Sequence, residues 1–140
     1  MRAVVDASFC GAWVLPDETS AKAESVLAEA LAGRIQLLAP QLWSYEMANL
    51  LLTAAKRGRL TPRAKEEAVA MISAVPFELR DAPDALAHHR IQQLAEAHGL
   101  SAYDAAYLEL ADRYRCPLHT SDGPLGAAAR RIGLPEGDVG

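Results

Sequence analysis

Ala3-Val4-Val5 is a short apolar, β-branched run that stops at a carboxylate, Asp6. A run of this kind predicts a buried strand. A polar break, Pro16-Asp17-Glu18-Thr19-Ser20, follows further on. Beyond it Ala23, Val26, Leu27, Ala30 and Leu31 recur at three- and four-residue spacing, the period of one helix face. Gly33 is placed as the C-terminal cap of that helix. Residues 35–39 predict a second buried strand. Pro40 is read as a first-turn proline, opening a long helix that carries Trp43, Met47, Leu50, Leu51 and Ala54. That helix stops at Lys56-Arg57-Gly58, cations and then glycine.

Thr61-Pro62 supplies an N-cap followed by proline, starting another helix to about residue 74. Residues 76–79 predict a third strand. A helix opens at Asp81-Ala82-Pro83-Asp84 and stops at His98-Gly99; Ser101 opens the next, through Tyr114. Residues 117–120 predict a fourth strand, and Asp122-Gly123-Pro124 starts a last helix ending at Ile132-Gly133. The tail, 134–140, is either a frayed edge strand or no element. Short buried strands alternating with helices predict an α/β fold, a parallel sheet covered by helices on both faces. A length of 140 residues fits one domain, 1–140, with no repeat, linker or low-complexity segment.

Composition changes this picture little. With 51% hydrophobic and 23% charged residues, the chain is expected to fold and not to be disordered. A net charge of −4 argues against holding nucleic acid by bulk positive charge. It leaves open a protein that meets phosphate through metal ions. Cys10 and Cys116 lack CxxC spacing, and the N-terminus carries no apolar leader, so a reduced, cytoplasmic setting is expected. No apolar stretch approaches a membrane span. His88, His89, His98 and His119 lack HxxxH spacing, so no zinc site is expected.

Four acids are candidates for chemistry. Asp6 closes strand one and Asp122 lies just past strand four. If those strands are neighbours, both carboxylates sit at the rim where open parallel sheets bind ligands. Glu46, in Trp-Ser-Tyr-Glu-Met-Ala-Asn, and Asp104, in Ser-Ala-Tyr-Asp-Ala-Ala-Tyr, sit in apolar helical sequence, where an acid is costly unless exposed, paired or metal-bound. Each has a purely structural reading: Asp6 and Asp122 as helix caps, Asp104 as the acidic partner of Ser101 in a capping box, Glu46 as solvated helix surface. Explaining all four that way requires four separate coincidences.

Three blocks sharpen the assignment: Val4-Val5-Asp6-Ala7-Ser8; Tyr45-Glu46-Met47-Ala48-Asn49-Leu50 after Ala39-Pro40; and Leu100-Ser101-Ala102-Tyr103-Asp104-Ala105-Ala106-Tyr107, followed by Pro117-Leu118-His119-Thr120-Ser121-Asp122. At these separations the chain resembles the PIN-domain family over about residues 2–134, and within it VapC-type toxin ribonucleases of type II toxin–antitoxin pairs. The resemblance implies a sheet of about five parallel strands, order 3-2-1-4-5, although the fifth is hard to find in 134–139. It implies an acidic constellation of Asp6, Glu46, Asp104 and Asp122, with Asp6 and Asp104 the principal metal ligands, and a supporting polar set of Ser8, Asn49 and Thr120. It further implies a Mg²⁺ or Mn²⁺ cofactor, an RNA substrate, a homodimer, and a cognate antitoxin lying over the active site. Hard cations suit oxygen ligands, and a bound cation activates water and neutralises phosphoryl charge. Asp122 then completes the metal sphere or orients water, and Glu46 accepts the proton; the sequence does not separate these two roles, nor one metal from two.

A phospho-receiver module requires an acidic pair after strand one and a late lysine, but strand one is followed by Asp6-Ala7-Ser8 and no lysine follows Lys65. A dehalogenase-like phosphatase requires acid at position 8, which is serine. A catalytically silent PIN binding domain is the remaining alternative. Two basic groups, Lys56, Arg57, Arg59 and Arg63, and Arg113, Arg115, Arg130 and Arg131, read either as helix-end and surface charge or as a shallow RNA track. Cys10 and Cys116 read as packing residues, with reactive thiols the alternative, and Trp13 and Trp43 as core or dimer-interface residues, with base-stacking platforms the alternative.

Overall fold

The computed structural model describes residues 1–137. The predicted strands form one parallel sheet: β1 (Arg2–Val5), β2 (Gln36–Pro40), β3 (Phe77–Arg80) and β4 (Leu118–His119), in the order β3-β2-β1-β4. Ala3 lies beside Leu37 on one side of β1, and Val5 beside His119 on the other. The chain leaves β1 toward β2 and β3 and returns on the opposite side to place β4. The β1/β4 seam is therefore the topological switch point, where the connections diverge and leave a crevice beyond the strand ends.

Seven helices connect and cover the strands: α1 (Ala7–Val14), α2 (Ala21–Leu31), α3 (Leu42–Lys56), α4 (Pro62–Ala74), α5 (Ala85–His98), α6 (Ala102–Tyr114) and α7 (Gly123–Arg131). Their starts follow capping chemistry. Ser20, Thr61, Asp84 and Ser101 each accept, through a side-chain oxygen, the backbone N–H three residues on, satisfying one of the orphan donors of the first turn. Val4, Val5, Leu37 and Leu38 are fully buried, and α6 packs Ala105, Leu108 and Ala111 into the same core. A second apolar cluster, Leu15, Leu51, Ala54, Leu60 and Ala68, joins α3 to α4.

The structure corrects three details. Pro40 does not open α3; it closes β2, aligned with Arg80 of β3, and α3 begins two residues later. A proline at a strand end loses no central ladder bond, so the site tolerates it. The sheet has four strands among the described residues, not about five. The expected fifth, over 134–139, lies partly outside them, and 134–137 form no strand, since Pro135 has no N–H to donate and Gly137 has little strand preference. Finally, residues 7–14, where the sequence pattern marks no element beyond a helix that Asp6 could cap, form α1. This helix buries Ala7, Phe9, Cys10 and Gly11, so it lacks the polar face that makes a helical period visible.

Leu108 is completely buried against the sheet. Leu108→Ala is expected to cost ~2–5 kcal/mol through lost burial and a residual cavity, read as a lowered midpoint in urea unfolding with an unchanged slope.

Candidate active site

The switch point sets two chain segments side by side. Asp6 follows the last residue of β1 and Thr120 the last of β4, and the Asp6 N–H donates to the His119 carbonyl at 3.3 Å. Asp6 is 4% exposed, and its carboxylate is held by three donors. The Ser8 hydroxyl donates to Oδ1 at 2.8 Å and the Phe9 N–H to the same oxygen at 2.9 Å; the Thr120 hydroxyl donates to Oδ2 at 2.5 Å. The β4 end is tied back in turn: the Ser121 N–H donates to Ser8 Oγ at 3.1 Å and the Asp122 N–H to Thr120 Oγ1 at 3.0 Å.

The remaining acids arrive on helix ends and flanks. Asp122 caps α7, its Oδ2 accepting from the Leu125 N–H at 2.9 Å. Asp104 stands in the first turn of α6, with its N–H on the Ser101 hydroxyl at 3.1 Å. Glu46 projects from α3 and accepts from the Tyr107 hydroxyl at 2.5 Å. The capping readings of Asp6 and Asp122 are thus literally true, and Ser101 caps the helix whose first turn carries Asp104. Those roles coexist with clustering.

Charge coupling shows the clustering. Burial pushes the Asp6 carboxyl above its ordinary range; the bonds from Thr120, Phe9 and Ser8 oppose this, and the Asp104 charge reinforces it. Burial likewise raises Glu46, against the Tyr107 bond and with the charges of Asp6 and Asp104 adding to it. Asp104 is raised by burial and then by Asp122, with Ser101 opposing. The four acids therefore feel one another across the rim. They do not form a closed cage: among the described residues no three Asp, Glu, His or Cys side chains converge to hold an ion. Like charges repel, and Asp6, Glu46 and Asp122 are each held by a local donor. The donor set is nonetheless all oxygen, carboxylates with hydroxyls behind them, which suits a hard divalent cation.

Of the supporting set, Ser8 and Thr120 bind Asp6 directly. Asn49 is exposed, one turn along α3 from Glu46, and makes no hydrogen bond to the acids; the Glu46 oxygen is taken by Tyr107 instead. Tyr107, 1% exposed, is the site residue that the sequence did not single out. Its only signal was a hydroxyl-bearing aromatic three residues after Asp104, on the buried face of α6. Much of the basic surface is engaged elsewhere: Arg59 with Asp17 and Glu18, Arg63 with Glu67, Arg113 with Glu109, and Arg115 with Asp112. Cys10 and Cys116 are buried free thiols, with burial raising both pKa values, and so serve packing.

A model of the PIN domain matches residues 3–130. The chain belongs to the PIN-domain family. It is 36% identical over 132 residues to Ribonuclease VapC3 of Pyrobaculum aerophilum, a match covering 89% of this chain and 92% of that protein. In fold this PIN domain is similar to PAE2754 of Pyrobaculum aerophilum, with a TM-score of 0.68 and 24% identity, covering 91% of this chain and 84% of that one. It is also similar to FitAcB of Neisseria gonorrhoeae, with a TM-score of 0.59 and 18% identity, covering 91% and 93%. No helix among the described residues of this PIN domain is long and apolar enough to cross a membrane.

The raised Asp104 carboxyl has a consequence for stability. A group whose pKa is higher folded than unfolded favours the fold below its unfolded pKa, and loses that contribution as pH rises through its folded pKa. At neutral pH the charged acid therefore penalises the fold. Asp104→Asn is expected to raise the melting temperature by a few degrees at pH 7, the gain shrinking as pH falls toward about 4. Differential scanning fluorimetry of both proteins across that range checks it; a pH-independent difference means that folding does not raise the pKa of this acid.

Proposed function

We propose that this PIN domain is a Mg²⁺- or Mn²⁺-dependent endoribonuclease, the toxin of a VapBC-type toxin–antitoxin pair. The observation that carries the reading is the buried Asp6 carboxylate at the switch point, coupled in charge to Glu46 and Asp104, with Asp122 next to Asp104. A cluster whose proton affinity is raised by burial, with mutual repulsion adding to it, is poised to take up a cation. The likeness to a protein named as a ribonuclease supports RNA as the substrate.

Asp6, Asp104 and Asp122, with Glu46 beside them, would hold the ion. When bound, such a cation lowers the pKa of water and offsets charge on the phosphodiester. The chain's own contribution is positional and protonic. Ser8 and Thr120 fix the Asp6 carboxylate by opposing bonds to its two oxygens. Glu46, with its proton affinity raised, is the proton acceptor, and the Tyr107 hydroxyl holds it on the rim. The positive N-terminal ends of α1, α6 and α7 face the same carboxylates and ease their crowding. The same reading makes 1–140 a single nuclease domain, cytoplasmic and homodimeric.

Asp6→Asn and Asp104→Asn are each expected to reduce Mg²⁺- or Mn²⁺-dependent cleavage of structured RNA at least ~100-fold, the scale on which a misplaced catalytic constellation loses rate, while circular dichroism stays native. Calorimetric titration should show Mn²⁺ bound by the wild type and bound more weakly by both variants. Cleavage at wild-type rate in either variant removes the proposed site.

An inhibitory partner fits the exposed site. A segment placing an arginine among the acids would make charge-assisted bidentate contacts there. Beside α3 a groove of about 400 Å³, lined by residues including Trp43, Met47, Leu51, Val69 and Leu79, offers apolar contact to the same segment. Co-expression with the product of the neighbouring reading frame should yield a complex with suppressed RNA cleavage. A harmless protein whose neighbour neither binds it nor alters cleavage defeats the toxin reading and leaves the nuclease.

A further inference from the structure

Behind Thr120 lies a cavity of about 260 Å³, walled by β4, α7 and α2 and lined by Phe9, Lys22, His119, Thr120, Arg130 and Glu136, among others. Thr120 belongs to both places: its hydroxyl holds Asp6, and it forms part of the cavity wall. Arg130 is drawn close to it. Its Nη1 and the Thr120 Cγ2 both stand 3.6 Å from where a Cβ on Gly126 would lie, so the guanidinium folds back along α7 toward β4. The cavity floor is the His119 imidazole, stacked on Phe9 with ring centroids 5.2 Å apart. Burial, with Lys22 nearby, pushes its pKa down to about 4, so at neutral pH the charges on the walls are Lys22 and Arg130 against Glu136.

The location of these two cations matters because most others are engaged. Among the described residues seven arginines pair with carboxylates, and Arg2 lies over the Tyr114 ring. Lys22 and Arg130 have no carboxylate partner among the described residues and line the one described cavity that contains Thr120. An RNA strand crossing an acidic rim on a chain of net charge −4 needs cationic purchase beside that rim.

We propose that this cavity is a phosphate subsite, in which Lys22 and Arg130 hold an RNA backbone phosphate next to the scissile one and so set the register of the strand over Asp6. The inference rests on the nuclease reading and adds to it a place where the substrate is gripped. Lys22 and Arg130 act on binding and register, not on the bond that breaks, so they are positioning residues.

The test measures binding apart from cleavage. Fluorescence anisotropy of a labelled single-stranded oligouridylate with the Asp6→Asn protein, over a series of KCl concentrations, gives the slope of log affinity against log salt. Each neutralised phosphate of a single strand contributes about 0.7 to that slope. Adding Lys22→Ala and Arg130→Ala, which removes the grip on that one phosphate, is therefore expected to lower the slope by about 0.7. In the otherwise wild-type protein the same pair is expected to raise KM for a cleaved RNA about tenfold with kcat nearly unchanged, the KM-led pattern of lost uniform binding. Both side chains are exposed, so the fold is expected to persist; Lys22→Gln with Arg130→Gln serves if the alanines disturb it. Arg34→Ala with Lys65→Ala, an equal loss of charge outside the cavity and outside both basic groups, is expected to leave slope and KM unchanged. An unchanged slope for the Lys22 and Arg130 pair, or an equal effect of the control pair, overturns the subsite. A wild type that cleaves no RNA overturns the nuclease reading; cleavage with an unshifted slope and KM overturns the subsite alone.

Discussion

The parallel pairing of β1 with β4 is the contact on which the rest of the site depends. It lays Val5 beside His119, and so brings Asp6 and Thr120 together from opposite ends of the chain. A carboxylate this deeply buried would be costly if left to itself, because removing a charge from water costs several kcal/mol even after relaxation. Here two hydroxyls and one amide supply its hydrogen bonds. They do not remove the whole penalty, since burial still raises the Asp6 pKa above its ordinary range. The fold thus keeps an oriented acid in a state that a cation would relieve.

Structural and chemical roles fall on the same residues. Asp6 and Asp122 are N-caps, and Asp104 sits one turn into a helix capped by Ser101. In a parallel α/β fold the helices that follow strands begin at the carboxyl rim, so capping acids are delivered to the place where ligands bind. The helix dipoles there favour negative charge, which lets several carboxylates share a small rim at tolerable cost. Loss of an acid at positions 6 or 122 therefore removes a cap together with a charge, and changes in stability and activity at those positions are not independent.

Electrostatics divide the surface. The chain is acidic overall, its central rim most of all, and many of its arginines are neutralised by neighbouring acids. Substrate contact by bulk charge is excluded on that balance. What remains is local: a rim of carboxylates, and two basic side chains that line the cavity containing Thr120.

The strand and helix succession was legible because it rests on short-range signals. β-branched runs, three-and-four spacing, and cap residues such as Ser20, Thr61, Asp84 and Ser101 act over a few residues, and the helices they announce are present. The acids were legible as candidates for a similar reason: Glu46 and Asp104 stand out against apolar helical sequence. Other features lay beyond local signals. Helix α1 is buried on too many sides to show a period, and Pro40 fits a strand end as readily as a helix start. Tyr107 looks like any core aromatic until α6 is docked against α3 and its hydroxyl reaches Glu46. Asn49, one turn from Glu46, is left exposed by the same docking. The sequence by itself determined most of the elements, the caps and which acids are candidates, because those depend on neighbours along the chain. Only the tertiary structure decided which acids share a charge field, which hydroxyls hold Asp6, and that Lys22 and Arg130 line one cavity, because those depend on pairings between segments more than a hundred residues apart, which carry no local trace.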